Sequence, residues 1–180
     1  YLNKEDKIRF KEKISITNNG LPENKKVFWI HAASIGEVNS IFPIIKEIKK
    51  KNKNIFILLT STTLSSSKLV KNEIADTDNF KHLFLPLDVL FLVKKFLSYW
   101  SPKLVIFVES EVWPNYMLEI SKRNIPVMLL NGRITNKTFY RWNKFPKTSR
   151  KIFSLYDLCL AASKESEINL KKLGAKNVKY

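Results

Sequence analysis

At 180 residues, 44% hydrophobic and 27% charged, the chain is long enough for one domain with a substantial core. Its formal net charge of +16 attracts phosphate-bearing partners such as nucleic acid, anionic lipid or nucleotides, although an A/T-biased coding sequence yields the same excess of lysine (27 against 5 arginines) with no selection for binding. The single cysteine, Cys159, excludes an internal disulfide, one Cys with two His makes a poor zinc set, and no apolar run approaches the ~18–20 residues of a membrane span.

Apolar runs alternate with helical patterns along the chain. An N-terminal helix and the polar loop 17–26 (TNNGLPENKK) precede a first strand, VFWIHA (27–32). Val38, Ile41, Ile44, Ile45 and Ile48 then keep helical spacing to a lysine-rich end. IFILLT (55–60) is a second strand, followed by a helix to about Lys71. HLFLP (82–86) is a third strand, residues 89–100 a helix, and KLVIFV (103–108) a fourth strand. A helix from Trp113 to Arg123 carries Pro114 in its first turn, where the missing N–H costs nothing. PVMLLN (126–131) is a fifth strand, 138–155 a less regular helical zone, and DLCLAA (157–162) a sixth strand. Glu165–Leu173 is a helix ended by Gly174, and GAKNVKY is patterned as the start of another strand. With Tyr rather than Met at position 1, that ending points to a piece of a longer protein.

Strands apolar throughout, each followed by a helix, specify an α/β fold with a parallel sheet covered on both faces. Such sheets bind ligands at the carboxyl ends of their strands. The junctions 31–37, 60–66, 109–115 and 131–135 all leave a strand at that end, which predicts one shared rim. A dinucleotide fingerprint needs three glycines after the first strand; only Gly36 stands there, and no P-loop is present.

Two readings stand for Glu37. Ser34-Ile35-Gly36-Glu37 fits a capping box, in which Ser34 and Glu37 satisfy main-chain donors at a helix start. Pro43 would lie inside a helix begun at Ser34; a start delayed to Asn39 or Ser40 would leave Glu37 projecting from the rim. Glu109 and Glu111, two residues apart after the fourth strand, point the same way if extended. Glu111 suits the positive end of the next helix, while Glu109, beside a buried strand, needs a partner such as Arg133 or a ligand. The cluster TSTTLSSS (60–67) caps a helix or offers hydroxyls to sugar or phosphate.

Taken together, FWIHAASIGEV, LLTSTTLSS, FLPLD, VESEVWPN, LLNGRIT and LGAKNV, in this order, strongly resemble the N-terminal half of the bacterial Kdo (3-deoxy-D-manno-octulosonic acid) transferases, from about Arg9 to Tyr180. The resemblance implies the acceptor-binding Rossmann-like domain of an inverting GT-B glycosyltransferase that moves Kdo from CMP-Kdo to the lipid A precursor. A donor-binding C-terminal domain would lie outside this chain, and the enzyme would be peripheral on the cytoplasmic face of the inner membrane. By the same resemblance Glu37 is the general base and Glu109 a second functional acid. Ser34, Gly36, Thr60, Thr62, Glu111, Asn131 and Arg133 are the candidate substrate contacts. No metal or other cofactor is expected. The chemistry agrees: a sugar hydroxyl needs a carboxylate to take its proton, and a departing cytidine monophosphate needs no acid.

Several positions depart from the family pattern. Ser15, and Ser65 and Ser66, stand where glycines are usual; a glutamine expected near Ala162 is absent; Gly132 replaces an alanine. Helix 89–100 and the aromatic-basic FYRWNKF (139–145) are candidate lipid contacts, against core packing for the former. The alternatives are another GT-B enzyme with a different lipid or sugar acceptor, or a basic module that binds nucleic acid. The latter finds no recognition motif, and no nucleic-acid partner is expected.

Overall fold

Strand β2 (Ile55–Ser61) is buried at every position, as a strand covered on both faces must be. It is the centre of the first of two units, residues 1–103 and 104–180, into which the chain divides. The computed structural model describes residues 9–14, 24–74 and 79–180. Most of the expected loop 17–26 and most of the N-terminal helix lie outside the described residues; Lys26 already belongs to the first strand, and a short 3-10 turn, Arg9–Lys13, is described.

In the first unit β2 pairs in parallel with β1 (Lys26–His31) on one side and β3 (Phe80–Phe84) on the other. The crossovers are α1 (Ile35–Lys51) and α2 (Leu64–Glu73), and α3 (Leu90–Trp100) follows β3. Val38, Ile41, Phe42 and Ile45 form the buried stripe of α1, and lysines 49–51 sit at its negative end. Trp29 packs edge-on against Phe96, and Trp100 stacks on Phe56, so two tryptophans tie α3 to the sheet.

The second unit holds β4 (Leu104–Val108), β5 (Val127–Gly132), β6 (Leu158–Ala161) and β7 (Val178–Lys179), in that order and parallel. Pro114 opens α4 (Pro114–Lys122) as expected. The helical zone 138–155 is two helices, α5 (Asn136–Asn143) and α6 (Pro146–Phe153). They break at Phe145 (φ −125°, ψ 66°), which lies outside the helical region that a following proline disfavours. Helix α7 (Lys164–Leu173) ends on Gly174 at φ 112°, where a Cβ would meet the Arg150 backbone at 2.9 Å.

One expectation about α1 is corrected. The helix starts at Ile35 and runs through Pro43 without a break. Pro43 lies on the exposed face, where water can take the Asn39 carbonyl that the missing N–H leaves unbonded.

Candidate functional site

The carboxyl end of β1 leads within three residues into α1. Ser34 caps the helix, its hydroxyl accepting the Glu37 N–H at 3.3 Å. The Glu37 carboxylate reaches back and accepts the Ala33 N–H through Oε2 at 2.9 Å. The side chain is therefore tied to its own main chain and 7% exposed, rather than projecting from the rim. The physical reason is the helix start at Ile35, which puts Glu37 in the first turn, where main-chain donors and the helix dipole both favour a carboxylate.

Gly36 is not explained by that cap. Its φ is not in the left-handed region, and a Cβ there would meet nothing nearer than Ser34 Oγ at 4.0 Å. Glycine in a helix costs about 0.5–1 kcal/mol against alanine. The result is exposed backbone in the first turn of α1, one residue before Glu37.

The hydroxyl cluster 60–67 is mostly structural. Thr60 is fully buried, its Oγ1 accepting the Trp29 Nε1–H at 2.8 Å and lying 2.9 Å from His31 Nδ1, so it forms the wall beneath the rim and not its surface. Thr62 donates both N–H (3.3 Å) and hydroxyl (3.1 Å) to the Ala33 carbonyl, and buried Ser66 adds a third bond at 3.2 Å. Thr63 caps α2. Ala33 is thus fixed from the β2 side through its carbonyl while its N–H holds Glu37.

Sequence reading missed a second cluster in this unit. Arg9 grips Glu12 through two bonds of 2.7 and 3.0 Å, donates to Ser67 Oγ at 2.8 Å, and sits 3.2 Å from His82 Nδ1. Ser61 Oγ lies 2.9 Å from the other ring nitrogen. Burial, reinforced by the Arg9 charge, pushes the His82 pKa down to about 3, so the ring is neutral. An Arg N–H facing Nδ1 puts the ring proton on Nε2, toward Ser61. Arg9 and His82 are 73 residues apart, and no local pattern joins them.

In the second unit Glu109 directly follows β4 and β5 passes through Asn131, both residues in the left-handed region, at φ 59° and 54°. The expected side-chain pairing of Glu109 with Arg133 is not formed. The two meet through backbone, Arg133 N–H donating to Glu109 O at 3.3 Å, because the left-handed turn carries the Glu109 side chain off the strand direction. Arg133 and Asn131 are exposed. Glu111 accepts the Trp113 Nε1–H at 2.7 Å, and buried Tyr156 donates to its carbonyl at 3.1 Å. The loop after β5 is pinned to α7 by Ser166, on the Ile134 N–H, and by Asn169, on the Ile134 carbonyl. Helix α5 has no buried residue and exposes Tyr140 among basic side chains.

Each unit therefore carries its candidate residues at the carboxyl ends of its own strands: Ser34, Gly36, Glu37, Thr60 and Thr62 in the first, Glu109, Glu111, Asn131 and Arg133 in the second. Among the described residues no group of three or more His, Cys, Asp or Glu is placed to hold a metal, and no helix is long and apolar enough to cross a membrane.

The parallel strands and their helical crossovers define a Rossmann-like half of the GT-B class. The fold is similar to that of a UDP-N-acetylglucosamine 2-epimerase (TM-score 0.57, 16% identity, 86% of this chain and 47% of that one). It is also similar to MurG of Acinetobacter baumannii (TM-score 0.54, 13% identity, 79% of this chain and 42% of that one). Residues 8–180 match the family described as 3-deoxy-D-manno-octulosonic-acid transferase (kdotransferase). The 3-deoxy-D-manno-octulosonic acid transferase of Rickettsia typhi is 37% identical over 151 residues, 84% of this chain and 31% of the relative. The chain belongs to the Kdo transferase family. It spans 26–31% of the length of the first curated relatives it matches.

Proposed function

We propose that this chain supplies the acceptor side and the general base of an inverting glycosyltransferase. The enzyme transfers Kdo from CMP-Kdo to the lipid A precursor, at the cytoplasmic face of the inner membrane, in lipopolysaccharide biosynthesis. Family membership supports the reaction class. The observation that carries the assignment of the base is Gly36, exposed one residue before Glu37, where neither a left-handed φ nor a close neighbour elsewhere in the fold requires a glycine. Uncovered backbone in the turn that holds a carboxylate, at a strand's carboxyl end, gives an incoming hydroxyl a place to approach.

In this reading the Ala33 N–H orients Glu37, and the carboxylate takes the proton of the attacking acceptor hydroxyl as the new glycosidic bond forms. A carboxylate suffices as the base because the hydroxyl becomes acidic as it bonds to the sugar, and the phosphate departs without a proton. Glu109, with Glu111, Asn131 and Arg133, serves the substrates from the second unit, and Arg133 suits a phosphate or carboxylate. The donor is held mainly by a further domain of the full-length enzyme, and neither metal nor cofactor takes part.

The Ala33–Glu37 bond favours one rival, in which Glu37 is a helix cap and nothing more. Glu37→Gln keeps an acceptor for the Ala33 N–H but cannot take a proton. Assayed in an enzyme of the relatives' full length that contains this chain, its loss of Kdo transfer supports the base, and unchanged transfer supports the cap.

A further inference from the structure

The peptide between Ala32 and Ala33 carries the N–H that holds Glu37, and bonds on both sides of it fix its direction. On one side Ala32 N–H donates to Thr60 O at 3.0 Å, one residue past the end of β1. On the other, the Ala33 carbonyl accepts from three donors among the described residues: Thr62 N–H at 3.3 Å, the Thr62 hydroxyl at 3.1 Å and the Ser66 hydroxyl at 3.2 Å. One bond satisfies a buried carbonyl, and its oxygen has two lone pairs, so three donors exceed what burial asks for.

The Ser66 hydroxyl is the donor its own helix does not need. Thr63 already caps α2, accepting the Ser66 N–H at 3.2 Å, and the two hydroxyls meet at 2.6 Å. With the Ser66 proton given to Ala33, the Thr63 hydroxyl donates to Ser66 Oγ, and this short chain of hydroxyls strengthens the bond to the carbonyl. Ser66 is fully buried, so its hydroxyl serves the protein and not a ligand. Only Ala32, Ala33 and Ser34 lie between β1 and α1. Each has two soft dihedrals, which would let the Ala33 N–H swing away from Glu37 if the carbonyl were not held.

We propose that Ser66, with Thr62, is a positioning residue for transfer: through the Ala33 backbone its hydroxyl sets the direction in which the Glu37 carboxylate faces the acceptor. This role rests on the reading of Glu37 as the base. A displaced base costs rate and not acceptor binding, because its alignment with the reacting hydroxyl matters in the transition state.

The test is a double-mutant cycle in the full-length enzyme. The readouts are the single-turnover rate of Kdo transfer with both substrates saturating, the KM for the acceptor, and urea unfolding. Ser66→Ala lowers the rate at least ~5-fold with KM within ~2-fold of wild type. In a Glu37→Gln background the same substitution changes the rate at most ~2-fold, because the base it positions is gone. Thr62→Val loses a hydroxyl at nearly constant shape; it repeats the pattern and decides the matter if Ser66→Ala does not fold. A folded Ser66→Ala with a rate within ~2-fold of wild type, beside an impaired Glu37→Gln, overturns this role and leaves the base standing. An equal fall in both backgrounds also overturns it, since such a loss does not pass through Glu37. Unchanged transfer by Glu37→Gln removes the base, and this role with it.

Discussion

The Ala33 N–H donates to Glu37 Oε2 at 2.9 Å, so the carboxylate assigned as base also closes the first turn of its own helix. The two duties separate by substitution. Glu37→Ala loses both and destabilises the fold by about 1 kcal/mol, the usual cost of a lost cap. Glu37→Gln loses less than half of that, because the amide oxygen still accepts the bond. Urea unfolding of the chain at neutral pH measures both.

Gly36→Ala separates stability from activity in the opposite sense. Apart from its chain neighbours and its own helix's backbone, the added Cβ meets no atom closer than 4.0 Å, so the helix gains about 0.5–1 kcal/mol. The same methyl group covers the backbone exposed one residue before Glu37, and transfer by the full-length enzyme falls at least ~10-fold, chiefly through a raised KM for the acceptor. A stabilised variant with full activity would remove the functional meaning of this glycine.

Glu109 sits at φ 59°, a conformation costing a non-glycine residue about 1 kcal/mol. Glu109→Gly relieves that strain and raises the unfolding midpoint or leaves it unchanged, while transfer collapses because the carboxylate is gone. A large loss of stability would instead show that Glu109 is kept for the fold.

His82 makes stability pH-dependent. Burial and Arg9 depress its folded pKa to about 3 from a reference of 6.5, so the unfolded chain binds a proton that the folded chain refuses. Stability is complete above pH 6.5 and declines as pH falls toward 3. Between pH 7 and pH 5 this group alone costs on the order of 2 kcal/mol. His82→Asn flattens that part of the profile, measured by urea unfolding at the two pH values; parallel profiles would place the titration elsewhere.

Much of this was legible in the sequence because parallel strands buried on both faces read as unbroken apolar runs. IFILLT lies wholly within the strand Ile55–Ser61, and Gly174 marks a helix end that only a left-handed residue can make. The illegible parts turn on orientation and distance. Pro43 reads as a helix breaker until its exposed position on α1 is known. Thr60 reads as a rim hydroxyl, yet its side chain points inward to Trp29 and His31. Glu109 and Arg133 lie close enough to suggest an ion pair, but a left-handed turn leaves them joined only through backbone. The Arg9–His82 contact spans 73 residues and has no signature in either neighbourhood.

The central claim is that Glu37 takes the proton of the acceptor hydroxyl. Its most direct test is the single-turnover rate of Kdo transfer from CMP-Kdo to the lipid A precursor by Glu37→Gln in the full-length enzyme, with both substrates saturating. The account predicts a fall of about 10²–10⁴-fold with unfolding stability close to wild type. A rate within a factor of about two of wild type, in a protein equally stable, would contradict it.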